Sequence, residues 1–413
     1  MNIFGILNME GTRLISIHNK IHRRSGHIAV SYKGNVIVWG GYMEHVQVTP
    51  VSPIVSQYHF TDEYWMYDSF TEVWNRMLTK GDTPPRNSGS CGIIMDHYLY
   101  IFGGYHGEEE PGSMEGNSNQ LYRLDLSTKT WAWIHPTGKQ PVPCDKLVGW
   151  EYKGKLYFFG GFGPPSTSPY TLPFVHMLDT STQSSGWPRG WNNMLVCYNP
   201  VGNIWEWPKT KGPVPSPRAA HAADKVGDKV YIFGGRFLGT RTNDLHCLDM
   251  ETMKWSGNLT KPFEPGPVGR SWHSFTFVSP TQAVLYGGLN QFNSVLNDCW
   301  MMHIGPEGPY DISWTEVPLP YDHGEPRCFH GACLVAPGEL VLHSGLTQPF
   351  YLTRVKLKDH AEELVVLNFT PKTLLRLCLD AVLCYGDVLR SEWNVLPKTL
   401  QDVLKMRLEQ WEI

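Results

Sequence analysis

The stretch "VYIFGGR", residues 230–236, is a run of β-branched and aromatic residues that ends in a glycine pair. Five similar runs occur elsewhere in the chain: "NVIVWGGY" (35–42), "YLYIFGGY" (98–105), "LYFFGGF" (156–162), "AVLYGGL" (283–289) and, with Ser344 before the last glycine, "LVLHSGL" (340–346). Short apolar runs of this composition, bounded by glycine, are typical of β-strands. Six copies of one strand-and-turn unit predict a repeat architecture.

Each run belongs to a longer unit. A second strand-like segment precedes it, and after five of the runs a third segment leads to a tryptophan: Trp74, Trp131, Trp205, Trp255 and Trp314. Four short strands per unit, with paired glycines and a later tryptophan, resemble the kelch repeat. That resemblance implies an all-β protein, a six-bladed kelch β-propeller over residues 22–369 followed by a C-terminal α-helical tail. Radial stacking also lets each four-stranded sheet bury both faces against its neighbours.

The sixth repeat has no closing tryptophan, because "EELVVLNFTP" leads directly into the helical tail. A propeller that lacks its last outer strand would leave an open sheet edge. The segment "RLISIH", residues 13–18, precedes the first blade and has strand character. We therefore predict that the N-terminal segment, residues 1–21, supplies the strand that closes the ring.

Composition excludes several functional classes. Hydrophobic residues make up 41% of the 413 residues and charged residues 18%, as expected for a folded globular protein. The net charge of −4 gives no basic face for a nucleic-acid partner, and no apolar run approaches the roughly 18 residues that span a bilayer. The start lacks the basic region of a signal peptide. We expect an intracellular protein, in the nucleus and cytoplasm, that binds neither nucleic acid nor membrane.

The nine cysteines are scattered, and none forms a Cys-x-x-Cys pair. The best metal candidate is "RCFHGAC", with Cys328, His330 and Cys333. We favour the alternative, small residues buried inside a sheet, because free cysteine is among the most buried residue types. No metal and no cofactor are therefore expected.

In the tail, residues 370–413, the spacing of apolar residues changes from that of strands to that of helices. Thr370 followed by Pro371 predicts a helix start, and Gly386 predicts its end. In "TLLRLCLDAV", residues 373–382, four positions share helical spacing: Thr373, Leu374, Cys378 and Val382. Taken alone, this stripe is best explained by a helix packed on the propeller base.

The stripe also resembles the elongin-binding box, (Ser/Thr)-Leu-x-x-x-Cys-x-x-x-hydrophobic. A second motif follows in "LPKTLQDVL": Leu396, Pro397, Leu400 and Leu404 match the cullin-2-type box. Both boxes, in this order after a kelch propeller, resemble the kelch domain-containing substrate receptors of cullin-RING ubiquitin ligases. The resemblance implies elongin C, elongin B and cullin-2 with its RING subunit as partners. It also implies substrates that end in Gly-Gly, and catalysis by partners rather than by this chain.

Two arginines are candidates for a ligand site on the face opposite the tail. Arg236 directly follows a glycine pair, where the other five repeats have an aromatic residue or leucine, and Arg241 lies in the same loop. From the residues alone, a solvated loop and a ligand site are equally good interpretations. Guanidinium groups bind carboxylates bidentately and stay charged when desolvated.

The family resemblance favours the ligand site and assigns roles to seven residues. It implies that Arg236 and Arg241 bind the terminal carboxylate of the peptide, with Ser271 as a hydroxyl donor beside them. It implies that Trp191 and Trp272 are aromatic walls that restrict the terminal positions to glycine. Two further residues complete the set: Lys146, expected to contact the peptide farther from its end, and Phe162, which stands where relatives have a tyrosine.

Four histidines recur at equivalent positions before blade strands: His27, His221, His273 and His330. Recurrence once per blade predicts a structural hydrogen bond rather than catalysis. Two other functions are compatible with kelch repeats, a copper radical oxidase of the galactose oxidase type and a non-enzymatic scaffold that binds actin or a transcription factor. The first requires a Tyr/His metal set that the sequence does not show, and the second leaves both tail boxes unexplained.

Overall fold

The computed structural model describes residues 13–15, 21–46, 54–107, 116–166, 173–185, 188–319, 324–348 and 359–409. Within them, six antiparallel sheets follow one another along the chain, each built around four strands. The first strand of each sheet contacts the first strands of its two neighbours, so six inner strands surround one axis. This is the six-bladed propeller that the repeats predict.

The strands of each blade follow chain order from the axis outward. Blade 1 comprises Ile28–Tyr32, Asn35–Trp39, Glu63–Asp68 and Val73–Leu78; blade 2 comprises Cys91–Met95, Tyr98–Phe102, Leu121–Asp125 and Thr130–Ile134; blade 3 comprises Val148–Tyr152, Lys155–Phe159, Leu195–Asn199 and Ile204–Glu206. Blade 4 comprises Ala222–Val226, Lys229–Phe233, Leu245–Asp249 and Lys254–Asn258; blade 5 comprises Ser274–Ser279, Gln282–Asn290, Val295–Ile304 and Ile312–Glu316; blade 6 comprises Gly331–Ala336, Glu339–His343, Leu364–Asn368 and Arg13–Ile15.

Short strands extend the blades at one end of the axis, which we call the upper face. They are Tyr42–Val46 with Ile54–Tyr58, Asn87–Ser88 with Tyr105–His106 and Gly116–Asn117, Phe162–Gly163 with Gly190–Asn192 and His176–Leu178, Arg236–Phe237 with Thr240–Arg241, and Arg270–Ser271. Lys80–Gly81 adds a parallel strand to blade 2, and a 3₁₀ turn covers Thr180–Ser185.

The repeated tryptophans fill the space between blades. Each packs against the ring that precedes the glycine pair of the previous blade: Trp131 on Trp39 at 5.6 Å, Trp205 on Phe102 at 5.2 Å, Trp255 on Phe159 at 5.2 Å, Trp314 on Phe233 at 5.4 Å and Trp74 on His343 at 5.0 Å. Tilted and edge-on ring pairs at these centroid distances are favourable. One such contact at each of five blade boundaries explains why the tryptophans repeat.

The recurrent histidines pack between neighbouring blades. Each lies edge-on to a ring of the preceding blade: His221 on Phe159, His273 on Phe233, His330 on Tyr286 and His27 on His343. Hydrogen bonds to side chains join His330 to Ser274 at 3.0 Å and His27 to His343 at 3.2 Å. Packing against a ring of the preceding blade is common to all four histidines and supports a structural role for them.

Backbone hydrogen bonds join each blade to the next. The amide of the second glycine of each pair donates across the blade boundary, as Gly235 does to the Arg270 carbonyl at 2.9 Å. Gly235 has φ +102°, and a Cβ there would lie 2.8 Å from the Cβ of His221. Only glycine adopts this conformation at such close range without strain. In blade 6, Gly345 donates to Arg24 of blade 1 at 3.0 Å and so joins the two ends of the repeat array.

The outer strand of blade 6 comes from the N-terminal segment. Arg13–Ile15 pairs antiparallel with Leu364–Asn368, with Arg13 opposite Val366 and Ile15 opposite Leu364. The rest of the predicted strand, residues 16–18, lies outside the described residues. The first and last parts of the propeller thus share one sheet.

Three helices form the tail: α1 (Leu374–Cys384), α2 (Gly386–Leu389) and α3 (Lys398–Glu409), with a 3₁₀ turn over Arg390–Val395. The helix start predicted at Thr370 is wrong. The hydroxyl of Thr370 donates to the Pro337 carbonyl of the propeller at 2.8 Å, and Thr373 caps α1 by accepting from the Arg376 amide. Gly386 begins α2 instead of ending α1 in the expected cap.

Removing residues 1–20 is expected to lower the melting temperature sharply, because Leu364–Asn368 then becomes an unpaired edge. Removing residues 1–10 alone keeps Arg13–Ile15 and serves as the control, for which we expect a nearly unchanged melting curve. Differential scanning calorimetry on both truncations measures the difference. Equal curves for the two truncations would contradict closure by this strand.

The buried histidines make the fold sensitive to acid. Burial lowers the pKa of His221 and His330 to about 3 and that of His273 well below its usual value. Protons then bind the unfolded chain preferentially, so stability present above pH 6.5 is lost as pH falls towards 3, by up to about 1.4 kcal/mol per pH unit for each histidine. Denaturant titrations between pH 7 and 5 should show this slope, and His330→Gln should reduce it. An identical slope in that variant would argue against the histidines as its source.

Candidate functional site

A cavity of about 320 Å³ opens on the upper face, where residues from all six blades meet around the axis. Half of its lining residues come from two recurrent positions of the repeat. One position precedes the inner strand and supplies Lys146, Ala220, Trp272 and Phe329; the other follows the glycine pair and supplies Tyr42, Tyr105, Phe162 and Arg236. The tail contacts the turns at the opposite end of the blades, near Phe70 and Glu339.

Five of the seven predicted substrate-binding residues line this cavity: Lys146, Phe162, Trp191, Arg236 and Trp272. The Arg236 guanidinium lies 5.8 Å from the centre of the Trp191 ring, which in turn is edge-on to Phe162 at 5.3 Å. A guanidinium stacked on an aromatic face is held in place without losing its hydrogen-bonding edge. The arrangement gives the cavity a cationic corner with aromatic walls.

The other two predicted residues lie beside Arg236 but do not line the cavity. Arg241 is the cross-strand partner of Arg236 in the short hairpin of blade 4. It is buried, and its Nε donates to the Oγ of Ser271 at 3.0 Å, where Ser271 is fully buried. The Arg241 amide donates to the Oε1 of Gln291 at 2.7 Å. A second cation is thus fixed behind the first, with its position set by the hydrogen bonds that Arg241 donates to blade 5.

The inner wall of the cavity is held by a closed circle of backbone hydrogen bonds. Each amide donates to the carbonyl of the preceding blade, in the order Gly26, Gly89, Lys146, Ala220, Trp272, Phe329 and back to Gly26, at 2.7 to 3.1 Å. All six residues have φ between +56° and +68°. Residues other than glycine rarely adopt this left-handed backbone conformation. The four non-glycine residues of the circle are therefore strained, and such strain often accompanies a functional site.

Several cavity residues carry chemistry that sequence reasoning missed. Arg189 stacks over Tyr105 and Phe162, at 5.3 and 5.6 Å from the ring centres. Asp145 pairs with Lys146, and Tyr42 lies across from Tyr58 with 5.9 Å between ring centres. Two signals could have identified most of them: the residue after each glycine pair, and the residues just before each inner strand. For Arg189, the only signal in the sequence was its position two residues before Trp191.

The cavity presents buried polar atoms that no described residue satisfies. Tyr42 Oη, Asp145 Oδ1 and Arg189 Nε have no hydrogen-bond partner among the described residues. Tyr42 and Asp145 are more than nine-tenths buried. Leaving such groups unsatisfied costs about 1–3 kcal/mol each, which a polar ligand would recover. The cavity therefore suits an extended ligand with donors, acceptors and a negative end.

Some residues of the two tail boxes are exposed and the others pack inside the tail. On α1, Leu374 is 77% exposed and Cys378 is also exposed, while Val382 packs against the tail core. Other large apolar side chains that are exposed in the described part of the tail are Leu375, Leu377, Tyr385, Val388, Val395 and Met406. Most of these exposed apolar side chains lie between residues 374 and 395.

In the second box, only Pro397 is exposed. Leu404 is fully buried, and Leu396 and Leu400 pack against the same core, which also contains Leu379 and Trp393. Direct contact with a partner through Leu404, as the motif predicts, is therefore not available in this structure. Its burial indicates that the residue shapes the helical tail instead.

The metal interpretation of "RCFHGAC" has no structural support. Cys328 and Cys333 are buried, and burial raises the pKa of the Cys328 thiol to about 12. Among the described residues, no three His, Cys, Asp or Glu side chains are grouped so that they could hold a metal ion. No helix of the described part is both long enough and apolar enough to cross a bilayer.

Comparisons with known proteins agree with the fold. The family model described as "KLHDC2/KLHL20/DRC7 Kelch-repeats domain" matches residues 26–190 and 185–373. Kelch domain-containing protein 2 of Bos taurus is 37% identical over 390 residues, 93% of this chain and 90% of the relative. Kelch domain-containing protein 1 of Mus musculus is 37% identical over 391 residues, 92% and 89% of the two chains. Kelch domain-containing protein 10 of Bos taurus is 28% identical over 338 residues, 81% and 69% of the two chains.

Proposed function

The chain belongs to the kelch-repeat family of kelch domain-containing proteins 1 and 2, and from this premise we propose that it is a substrate receptor. In this proposal it is the recognition subunit of an elongin BC/cullin-2 RING ubiquitin ligase in the nucleus and cytoplasm. It binds proteins through a C-terminal Gly-Gly and presents them for ubiquitylation and degradation. Partners supply the catalysis.

One observation carries the recognition step: the cationic corner of the cavity, formed by Arg236 on Trp191 with the Arg241–Ser271 pair behind it. A C-terminal carboxylate is the anion that an internal peptide segment lacks, so a charge-selective corner at the end of a cavity distinguishes chain ends. Arg236 would meet the carboxylate first, and Arg241 would reinforce the positive field. Trp191 and Trp272 would crowd any side chain next to the terminus.

The tail supports the partner half of the proposal. Leu374 and Cys378 lie one helical turn apart on an exposed apolar face, as a helix that enters a groove requires. The opposite side of the tail is anchored to the propeller. Arg407 is fully buried and donates to the Phe70 carbonyl and to Asp380, and Arg376 pairs with Glu339 at 2.7 Å. A docked tail would hold substrate and ligase at a fixed separation.

Recognition of a chain end is tested by calorimetry with one Gly-Gly peptide as free acid and as amide. Arg236→Ala or Arg241→Ala should weaken binding of the free acid at least roughly tenfold, because truncating one partner of a buried charge pair costs about 2–5 kcal/mol. Amidation should be as damaging, and a terminal alanine should bind weakly. Arg123→Ala, which removes an arginine stacked on Tyr98 outside the cavity, is the control. Equal affinity for acid and amide would refute the proposal.

Partner binding is tested by replacing Leu374 and Cys378 together with glutamate. We expect loss of elongin binding with an unchanged melting temperature, because both side chains are exposed. The control is Val201→Glu, which places the same charge at an exposed apolar position of blade 3. Changes at Leu396 and Pro397 should weaken cullin-2 while sparing the elongins. Full recovery of elongins with the Leu374/Cys378 variant would favour the scaffold alternative.

A further inference from the structure

The cavity is electrically asymmetric. Its cations lie on blades 3 and 4: Lys146, which is paired with Asp145, and the two arginines Arg189 and Arg236. Blade 1 contributes Glu44 together with Tyr42 and Tyr58, and no cation from that blade lines the cavity within the described residues. In a ring of six blades, blade 1 stands opposite blade 4. One wall is therefore acidic and phenolic, and the facing wall is basic.

The upper hairpin of blade 1 builds this acidic wall. Tyr42 and Glu44 are two residues apart on one strand, so both side chains point to the same side, towards the cavity. Their cross-strand partners are Tyr58 and Ser56, which also line it. Glu44 is 7% exposed and its amide donates to the Nε2 of His360 at 3.4 Å, which fixes the strand beside blade 6.

A second observation shows that this wall is suited to a polar ligand. The hydroxyl of Tyr42, in the field of Glu44, is buried without a hydrogen-bond partner among the described residues, and Asp145 Oδ1 on the blade 3 side of the cavity is in the same state. Burial beside Glu44 raises the pKa of Tyr42 well above its usual value, so the phenol keeps its proton. A carboxylate with little access to water attracts a cation more strongly than an exposed one does.

We propose that Glu44, with Tyr42 and Tyr58, forms an upstream subsite that selects a lysine or arginine a few residues before the C terminus of the substrate. This inference rests on the proposed function, since a carboxylate held at blade 4 sets the direction of the peptide. An extended peptide advances about 3.3–3.6 Å per residue, so a chain anchored there crosses the axis within a few residues and reaches blade 1. The proposed substrates are therefore proteins whose C terminus carries a basic residue, a short spacer and a final Gly-Gly.

The test uses purified full-length chain and a set of fluorescent peptides that all end in Gly-Gly. A single lysine is placed at the third, fourth, fifth or sixth residue from the end of an otherwise neutral sequence. Matched peptides carry glutamate or acetyl-lysine at the same position. We expect one position at which lysine binds at least roughly tenfold more tightly than glutamate and more tightly than acetyl-lysine. Acetyl-lysine removes the charge on the peptide and leaves the protein unchanged.

Glu44→Gln should reduce that preference to less than about threefold, because glutamine keeps the size of the side chain and removes its charge. Glu362→Gln, which neutralises an exposed glutamate of blade 6 outside the cavity, is the matched control and should keep the preference. Equal binding of the lysine, glutamate and acetyl-lysine peptides at every position, with the free acid still preferred over the amide, overturns the subsite alone. Equal binding of acid and amide overturns the proposed function as well.

Discussion

The circle of hydrogen bonds around the axis is the constraint on which the rest of the structure depends. Six residues, one per blade, each donate to the carbonyl of the preceding blade and thereby close on themselves. A closed circle cannot lengthen at one bond without straining the others, so the radius and tilt of the blades are fixed together. Glycine takes two of the six left-handed positions, and the strain at the other four is borne by the surrounding packing.

The same constraint shapes the cavity on the upper face. Lys146, Ala220, Trp272 and Phe329 occupy the circle itself and also line the cavity. Their backbones are therefore held by the fold before any ligand arrives, and sites carried on rigid elements are more accurate than sites on free loops. The second group of cavity residues follows the glycine pairs, whose amides make the other set of bonds between blades. Many of the cavity residues thus lie on backbone that is hydrogen-bonded between blades or directly adjoins such backbone.

Buried arginines illustrate how one residue type serves two purposes in this fold. Arg218 and Arg270 are almost fully buried, and each forms a bidentate pair with an aspartate of its own blade while donating to a glycine carbonyl. These guanidinium groups are satisfied internally and stabilise the turn before the inner strand. Arg236 instead lines the cavity against an aromatic ring. The difference lies in position within the repeat and not in burial alone.

The tail and the cavity occupy opposite ends of the propeller axis, joined by rigid blades. Charged side chains attach the tail: Arg407 and Arg376 both approach Glu72, which sits in a turn of blade 1. Ion pairs buried in this way hold orientation as well as position, because a guanidinium offers a planar set of donors. The helices then keep their buried side on the propeller and their apolar side, around Leu374, exposed.

The sequence by itself determined the architecture, because repeats can be recognised from residues that recur along the chain. The glycine pairs and tryptophans indicated six blades, and the absence of a sixth tryptophan indicated where the ring needed another strand. The motif "GGRFLGTRTND" singled out Arg236 and Arg241, since the other repeats carry no charge after their glycine pair. Each of these signals is local, carried by residues close together in the chain.

Only the tertiary structure decided which residues from different blades share a cavity. Glu44 and Arg236 are 192 positions apart, and nothing in "GGYMEHV" marks its glutamate as a cavity residue until blade 1 stands opposite blade 4. The helix start was likewise decided in three dimensions, because the Thr370 hydroxyl is taken by the Pro337 carbonyl and Thr373 becomes the cap. Leu404 matched a contact motif, yet packing placed it in the tail core. Spacing sets which side of a helix or strand a residue occupies, while the neighbouring elements decide whether that side faces a partner, a ligand or the core.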